Sequence, residues 1–128
     1  MNKSKILFIE DDHSVSEAVC FFLDLYGFEF TAVADGMSAL ELLKQHRYDL
    51  VLCDISLPDI LGYEILRFVR SHFASRHLPF IFLTAYADKR DIGVGLDLGA
   101  DEYITKPFSG KVLACTITDV IQKYGSSQ

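Results

Sequence analysis

Four short apolar runs punctuate the chain: Ile6 to Ile9, Phe28 to Val33, Leu50 to Cys53 and Phe80 to Leu83, with a weaker fifth at Tyr103-Ile104. All but Phe28 to Val33, which Glu29 and Thr31 interrupt, are continuous rather than alternating. A continuous run places apolar side chains on both faces of a strand, the habit of a parallel sheet covered on both sides. Between the runs the spacing turns helical. Val15, Ala18, Val19, Phe22 and Tyr26 recur on one face, and Gly27 supplies a stop. Ser38 to His46, Gly62 to Phe73, and Asp88 to Leu98 (ended by Gly99) read as three further helices. Leu113, Ile117 and Ile121 form the stripe of a fifth that starts after Gly110. Strand and helix therefore alternate five times, which predicts an α/β fold with a five-stranded parallel sheet wound on both faces. Gly93 and Gly95 fall inside the fourth helix, each costing up to about 1 kcal/mol relative to alanine. They suit either close backbone packing or a soft, switching helix.

At 128 residues the chain has the size of one domain, taken as residues 1–124, with Gly125 to Gln128 as a tail or the start of a linker. The formal charge of −6 argues against nucleic acid or an anionic membrane as a direct partner. No apolar run is long enough to span a bilayer, and Ile6 to Ile9 is too short for a signal-peptide core. Cys20, Cys53 and Cys115 lie in apolar stretches, odd in number and widely spaced, which suits buried free thiols and a cytoplasmic location. His13, His46, His72 and His77 sit in loops or near helix ends and read as surface residues.

Ligands of open parallel α/β sheets bind beyond the carboxyl ends of the strands. The polar residues that follow the apolar runs are Glu10, Asp11 and Asp12 after the first, Asp54 after the third, Thr84 after the fourth, and Lys106 after the fifth. Each has an ordinary structural role open to it: Asp12 as a helix N-cap, Thr84 as a strand residue, Lys106 as a solvated charge. Their convergence on one edge is what carries chemistry. Clustered carboxylates are hard oxygen ligands that suit Mg²⁺, an aspartate can accept a phosphoryl group as an acyl phosphate, and a hydroxyl with an ammonium can hold the transferred oxygens.

These stretches resemble the receiver domain of bacterial two-component response regulators. Ile9-Glu10-Asp11-Asp12 is similar to its acidic pocket, Asp54-Ile55-Ser56-Leu57-Pro58 with Gly62 to its phosphoacceptor loop, and Thr84-Ala85 to its switch threonine and small neighbour. Gly99 to Phe108, including Tyr103, Lys106 and Pro107, is similar to its last strand. The spacings agree, 30 residues from Asp54 to Thr84 and 22 from Thr84 to Lys106. The resemblance implies a flavodoxin-like (βα)5 fold with strand order 2-1-3-4-5 and Asp54 as phosphoacceptor. It implies Mg²⁺ held by Glu10, Asp11, Asp54 and the backbone carbonyl of Ser56. Thr84, Ala85 and Lys106 would meet the phosphoryl group, Tyr103 would act as aromatic switch, and the peptide before Pro107 would be cis. The implied phosphodonor is a sensor histidine kinase or phosphotransfer protein. The implied consequence is a changed face on the fourth helix, fifth strand and fifth helix, felt by an output domain or downstream protein.

One rival, a Mg²⁺-dependent aspartyl-phosphate hydrolase, shares the metal and the nucleophile; another is a docking receiver that never takes phosphate, against which stands the presence of all the site residues. Hydrolases of the haloacid-dehalogenase type want a second Asp two residues on, where this chain has Ser56. A flavodoxin-like flavin carrier shares the strand order, but Glu10-Asp11-Asp12 would repel its phosphate. The Gly95 to Asp101 stretch resembles receivers of winged-helix transcription factors, which dimerise through that face. The fifth helix lacks their arginine at about Thr116, so at most a weak or phosphorylation-dependent dimer is expected.

Overall fold

The computed structural model describes residues 3–73, 76–85 and 98–125. In chain order these form β1 (Lys5–Ile9), α1 (His13–Leu25), β2 (Glu29–Val33), α2 (Gly36–Gln45), β3 (Leu50–Cys53), α3 (Gly62–His72), β4 (Phe80–Thr84), β5 (Glu102–Thr105) and α4 (Gly110–Val120), closed by a wider π-helical turn, Ile121–Gly125. All strand pairs are parallel, in the expected order β2-β1-β3-β4-β5. The expected fourth helix, with Gly93 and Gly95, lies outside the described residues apart from Leu98.

The continuous strands serve two cores. Leu7, Ile9, Val51, Cys53, Phe80 and Phe82 pack under α2 and α3 with Ala39, Leu43, Ile65, Leu66 and Val69. Their alternate neighbours Ile6, Phe8, Leu50, Leu52, Ile81 and Leu83 pack under α1 and α4 with Val19, Leu23, Leu113, Ile117 and Val120. Edge strand β2, whose run was interrupted in the sequence, is only partly covered.

Helix starts follow side-chain caps. Asp12, Asp35 and Ser109 accept the backbone N–H of Val15, Ser38 and Val112 at 3.1, 2.8 and 3.0 Å. The second helix therefore begins at Gly36, two residues before the expected Ser38, because Asp35 is its cap. Gly27 (φ 84°) and Gly99 (φ 104°) adopt the left-handed backbone that favours glycine. The stripe of the last helix holds at Leu113 and Ile117, but Ile121 already belongs to the π-helical turn. The four histidines are exposed as expected. The cysteine reading needs correcting: Cys53 is buried, Cys20 half-buried and Cys115 exposed, because position 115 turns away from the stripe of Leu113 and Ile117.

At the amino ends of β4 and β5, Arg70 from α3 donates to Gly99 O (3.0 and 2.8 Å), Leu78 O (2.5 Å) and Asp101 Oδ2 (3.0 Å). Asp101 also accepts Phe80 N–H at 2.8 Å and meets His77 Nε2 at 2.7 Å. This nearly sealed carboxylate, satisfied on both oxygens, fixes the strand pair from the end opposite the acidic residues.

Candidate functional site

Sheet register builds the site. β1 and β3 lie side by side with Ile9 opposite Cys53, so the next residues, Glu10 and Asp54, emerge together at the carboxyl edge. Their backbones continue the ladder, Asp54 N–H to Ile9 O and Glu10 N–H to Val33 O, both at 3.0 Å. The helices after β1 and β3 leave toward opposite faces, which makes this edge the topological switch point of the sheet. Further along, Thr84 pairs in register with Thr105, and Lys106 N–H donates to Thr84 O at 2.9 Å.

Glu10, Asp54 and Thr84 are the buried polar residues of the described structure. Lys106 Nζ donates to Glu10 Oε1 at 2.9 Å and lies 3.6 Å from Asp54 Oδ2. The other oxygen of Glu10 accepts Asp12 N–H at 3.2 Å. Burial pushes the Glu10 carboxyl up to about 7; Lys106 opposes the shift, the charge of Asp54 adds to it, and the Asp12 amide opposes it. Burial also pushes the Cys53 thiol up, reinforced by the charges of Asp54 and Glu10, so it stays neutral while donating to Asp54 O at 3.0 Å.

Asp11 is exposed beside this pair, and one carboxylate oxygen each from Glu10, Asp11 and Asp54 lie within 4.8 Å of one another. With Asp12, Ser56, Ala85 and Lys106 they line an open cleft of about 330 Å³. Three hard oxygen donors on one side of a cleft fit a magnesium ion, which keeps several of its waters.

The loop after β3 is shaped to bring Ser56 to this cleft. Ser56 and Leu61 form an antiparallel bridge, and Gly62 N–H donates to Ile55 O at 2.7 Å. Only glycine fits at position 62, since a Cβ there would lie 2.5 Å from Asp54 O and 3.0 Å from Phe82 Cε1.

Glu10, Asp11, Asp54, Ser56, Ala85 and Lys106 thus come together, whereas Thr84 and Tyr103 are not among the cleft-lining residues. Thr84 is fully buried at the end of β4. Tyr103 is half-buried on β5, its ring 5.3 Å from that of Phe82. The Lys106–Pro107 peptide is cis, as expected. Sequence reasoning passed over Asp59, whose turn-like setting after Pro58 gives no sign of its reach to α2.

Comparison with known proteins places the chain. The sequence model of the response regulator receiver domain matches residues 6–118, and the chain belongs to that family. The transcriptional regulatory protein CseB of Streptomyces coelicolor is 40% identical over 124 residues, 97% of this chain and 52% of that protein. The chain thus spans about half the length of the curated relatives it matches. Among solved structures, a response regulator from Chloroflexus aurantiacus superposes with a TM-score of 0.89 at 30% identity, covering 94% of this chain and 99% of that one. The receiver domain of the sensor histidine kinase PA1611 from Pseudomonas aeruginosa, described with a magnesium ion coordinated in its active-site cleft, gives 0.86 at 32% identity, covering 94% and 99%. The family is one of two-component signalling rather than of classical enzymes. No described helix is long and apolar enough to cross a membrane.

Proposed function

We propose that this chain is a phosphorylation-controlled switch that takes a phosphoryl group onto Asp54 from the phosphohistidine of a partner kinase or phosphotransfer protein in the cytoplasm. One observation carries the reading: Asp54 stands buried at the switch point of the sheet, beside Glu10 and 3.6 Å from the ammonium of Lys106. A carboxylate oxygen of Asp54 attacks phosphorus. As the O–P bond forms, the P–N bond breaks, and its electron pair returns to the donor imidazole, which takes up a proton. Lys106, now shared between Glu10 and Asp54, turns its ammonium to the incoming phosphoryl oxygens.

Glu10, Asp11, Asp54 and the Ser56 carbonyl are the groups that would hold Mg²⁺; when bound, the ion supplies neutralisation of the phosphoryl charge. Thr84, buried at the end of β4, presents its hydroxyl to the acyl phosphate, and the Tyr103 ring follows it along Phe82. The change reaches an output domain or partner through the face that carries β5 and α4. The chain promotes only its own phosphorylation and dephosphorylation.

Acetyl phosphate with MgCl₂ tests the reading by intact-mass spectrometry. The wild type gains one phosphoryl group, Asp54→Asn gains none, and chelation stops labelling. Equal labelling of Asp54→Asn removes Asp54 from the role.

A further inference from the structure

The loop that carries Ser56 is held from outside as well as from within. From its outer bend Asp59 reaches the first turn of α2, where Oδ1 accepts Gly36 N–H and Oδ2 accepts Met37 N–H, each at 2.8 Å. Oδ1 also accepts Ile60 N–H, within the loop itself, at 2.9 Å. The Gly36 and Met37 amides, in that order, hold this exposed carboxyl below its usual range.

Yet α2 already owns a cap. Asp35 accepts both the backbone N–H and the hydroxyl of Ser38 at 2.8 Å. A first turn has four orphan N–H groups, and water satisfies those that side chains leave. Asp59 is therefore surplus to starting the helix, and what sets it apart from Asp35 is the segment it is attached to. The contact beneath it is steric as well: a Cβ on Gly36 would collide with the Ile60 side chain, so the loop seats directly on the helix start. α2 is in turn fixed to the core through Ala39 and Leu43. The inner ends of the loop are closed by the Ser56–Leu61 bridge and the Gly62–Ile55 bond. The outer bend at Asp59 is held by the clamp on α2 and by its neighbours Leu57 and Ile60, which pack against the core.

We propose that Asp59 is a positioning residue for the metal site, clamping the loop after β3 onto the start of α2 so that the Ser56 carbonyl is held ready for Mg²⁺ beside the Asp54 carboxylate. The inference rests on the metal-binding role proposed above. Outer groups that orient metal ligands contribute strongly to affinity even though they never touch the ion.

The test is an NMR titration of the full chain with MgCl₂, reading Kd from the amide shifts around Asp11 and Ser56, with a thermal melt of every variant. Asp59→Ala raises the Mg²⁺ Kd on the order of tenfold, and Asp59→Asn, which keeps one oxygen acceptor, falls between it and the wild type. Asp35→Ala removes a cap from the same helix turn without touching the loop, so it lowers Tm and leaves Kd unchanged. Equal Kd values for Asp59→Ala and Asp35→Ala overturn the clamp. If Asp59→Ala does not fold, Asp59→Asn carries the comparison and must bind Mg²⁺ more weakly than Asp35→Ala. A wild type that binds no Mg²⁺ overturns the metal site itself, and the clamp with it.

Discussion

Glu10 is a carboxylate nearly sealed from water, 3% exposed, and its only formal cation among the described residues is one it shares with Asp54. Burial raises its pKa from 4.5 to about 7, and the sign of the consequence is fixed by linkage. Between those two values the folded chain holds a proton that the unfolded chain has released, so raising the pH through this window favours unfolding. Metal-free stability therefore falls as pH rises from about 4.5 to about 7. Glu10→Gln keeps an oxygen acceptor for Lys106 and has no proton to lose. Thermal melts in chelator across this range should show a clear decline for the wild type and a flatter profile for Glu10→Gln. Parallel profiles would mean that Glu10 does not set the dependence.

At the scale of elements, Gly62 shows how helix and site constrain each other. α3 starts at the residue where the chain must pass the Asp54 carbonyl and the Phe82 ring, and a methyl group does not fit between them. Gly62→Ala should cost about 1–3 kcal/mol, the usual penalty of forcing extra volume into a packed site. It should also slow labelling by acetyl phosphate, because the strain is relieved by moving Asp54. Urea melts measure the first effect and the rate of mass gain the second. Unchanged stability would show that α3 can slide outward freely. Much of this level was legible in the sequence, since continuous apolar runs and helical stripes are local signals of burial. The carboxylates and Lys106 were legible for the same reason, as polar residues following apolar runs. What was not legible depends on contacts distant in sequence. Asp59 looks like a turn residue until Gly36 and Met37 are folded against it. Lys106 could be placed at the edge from the sequence, but not its choice of Glu10 as the closer partner. Cys115 sits in an apolar stretch, yet helix phase puts it outside.

For the whole molecule, the site is a place where stability is given up for chemistry. The fold brings three carboxylates to one sheet edge and answers them with a single ammonium among the described residues. Without metal, Asp54→Asn removes one negative charge and leaves Glu10 and Lys106 as a matched pair at 2.9 Å. The lost attraction between Lys106 and Asp54 is the weaker of the two, at 3.6 Å. The removed repulsion acts on a buried carboxylate that Asp54 already pushes toward its protonated form. Relief outweighs loss, so Asp54→Asn should melt higher than the wild type in chelator, by about 1 kcal/mol or roughly 4 °C for a domain of this size. Millimolar Mg²⁺ should narrow or reverse the order, because an ion that binds the folded state stabilises it by mass action and the wild type offers the more anionic site. Four melts, two proteins with and without the ion, measure both effects. A lower chelator Tm for Asp54→Asn would mean that the ion pair with Lys106 dominates, and that Asp54 stabilises the resting fold instead of straining it.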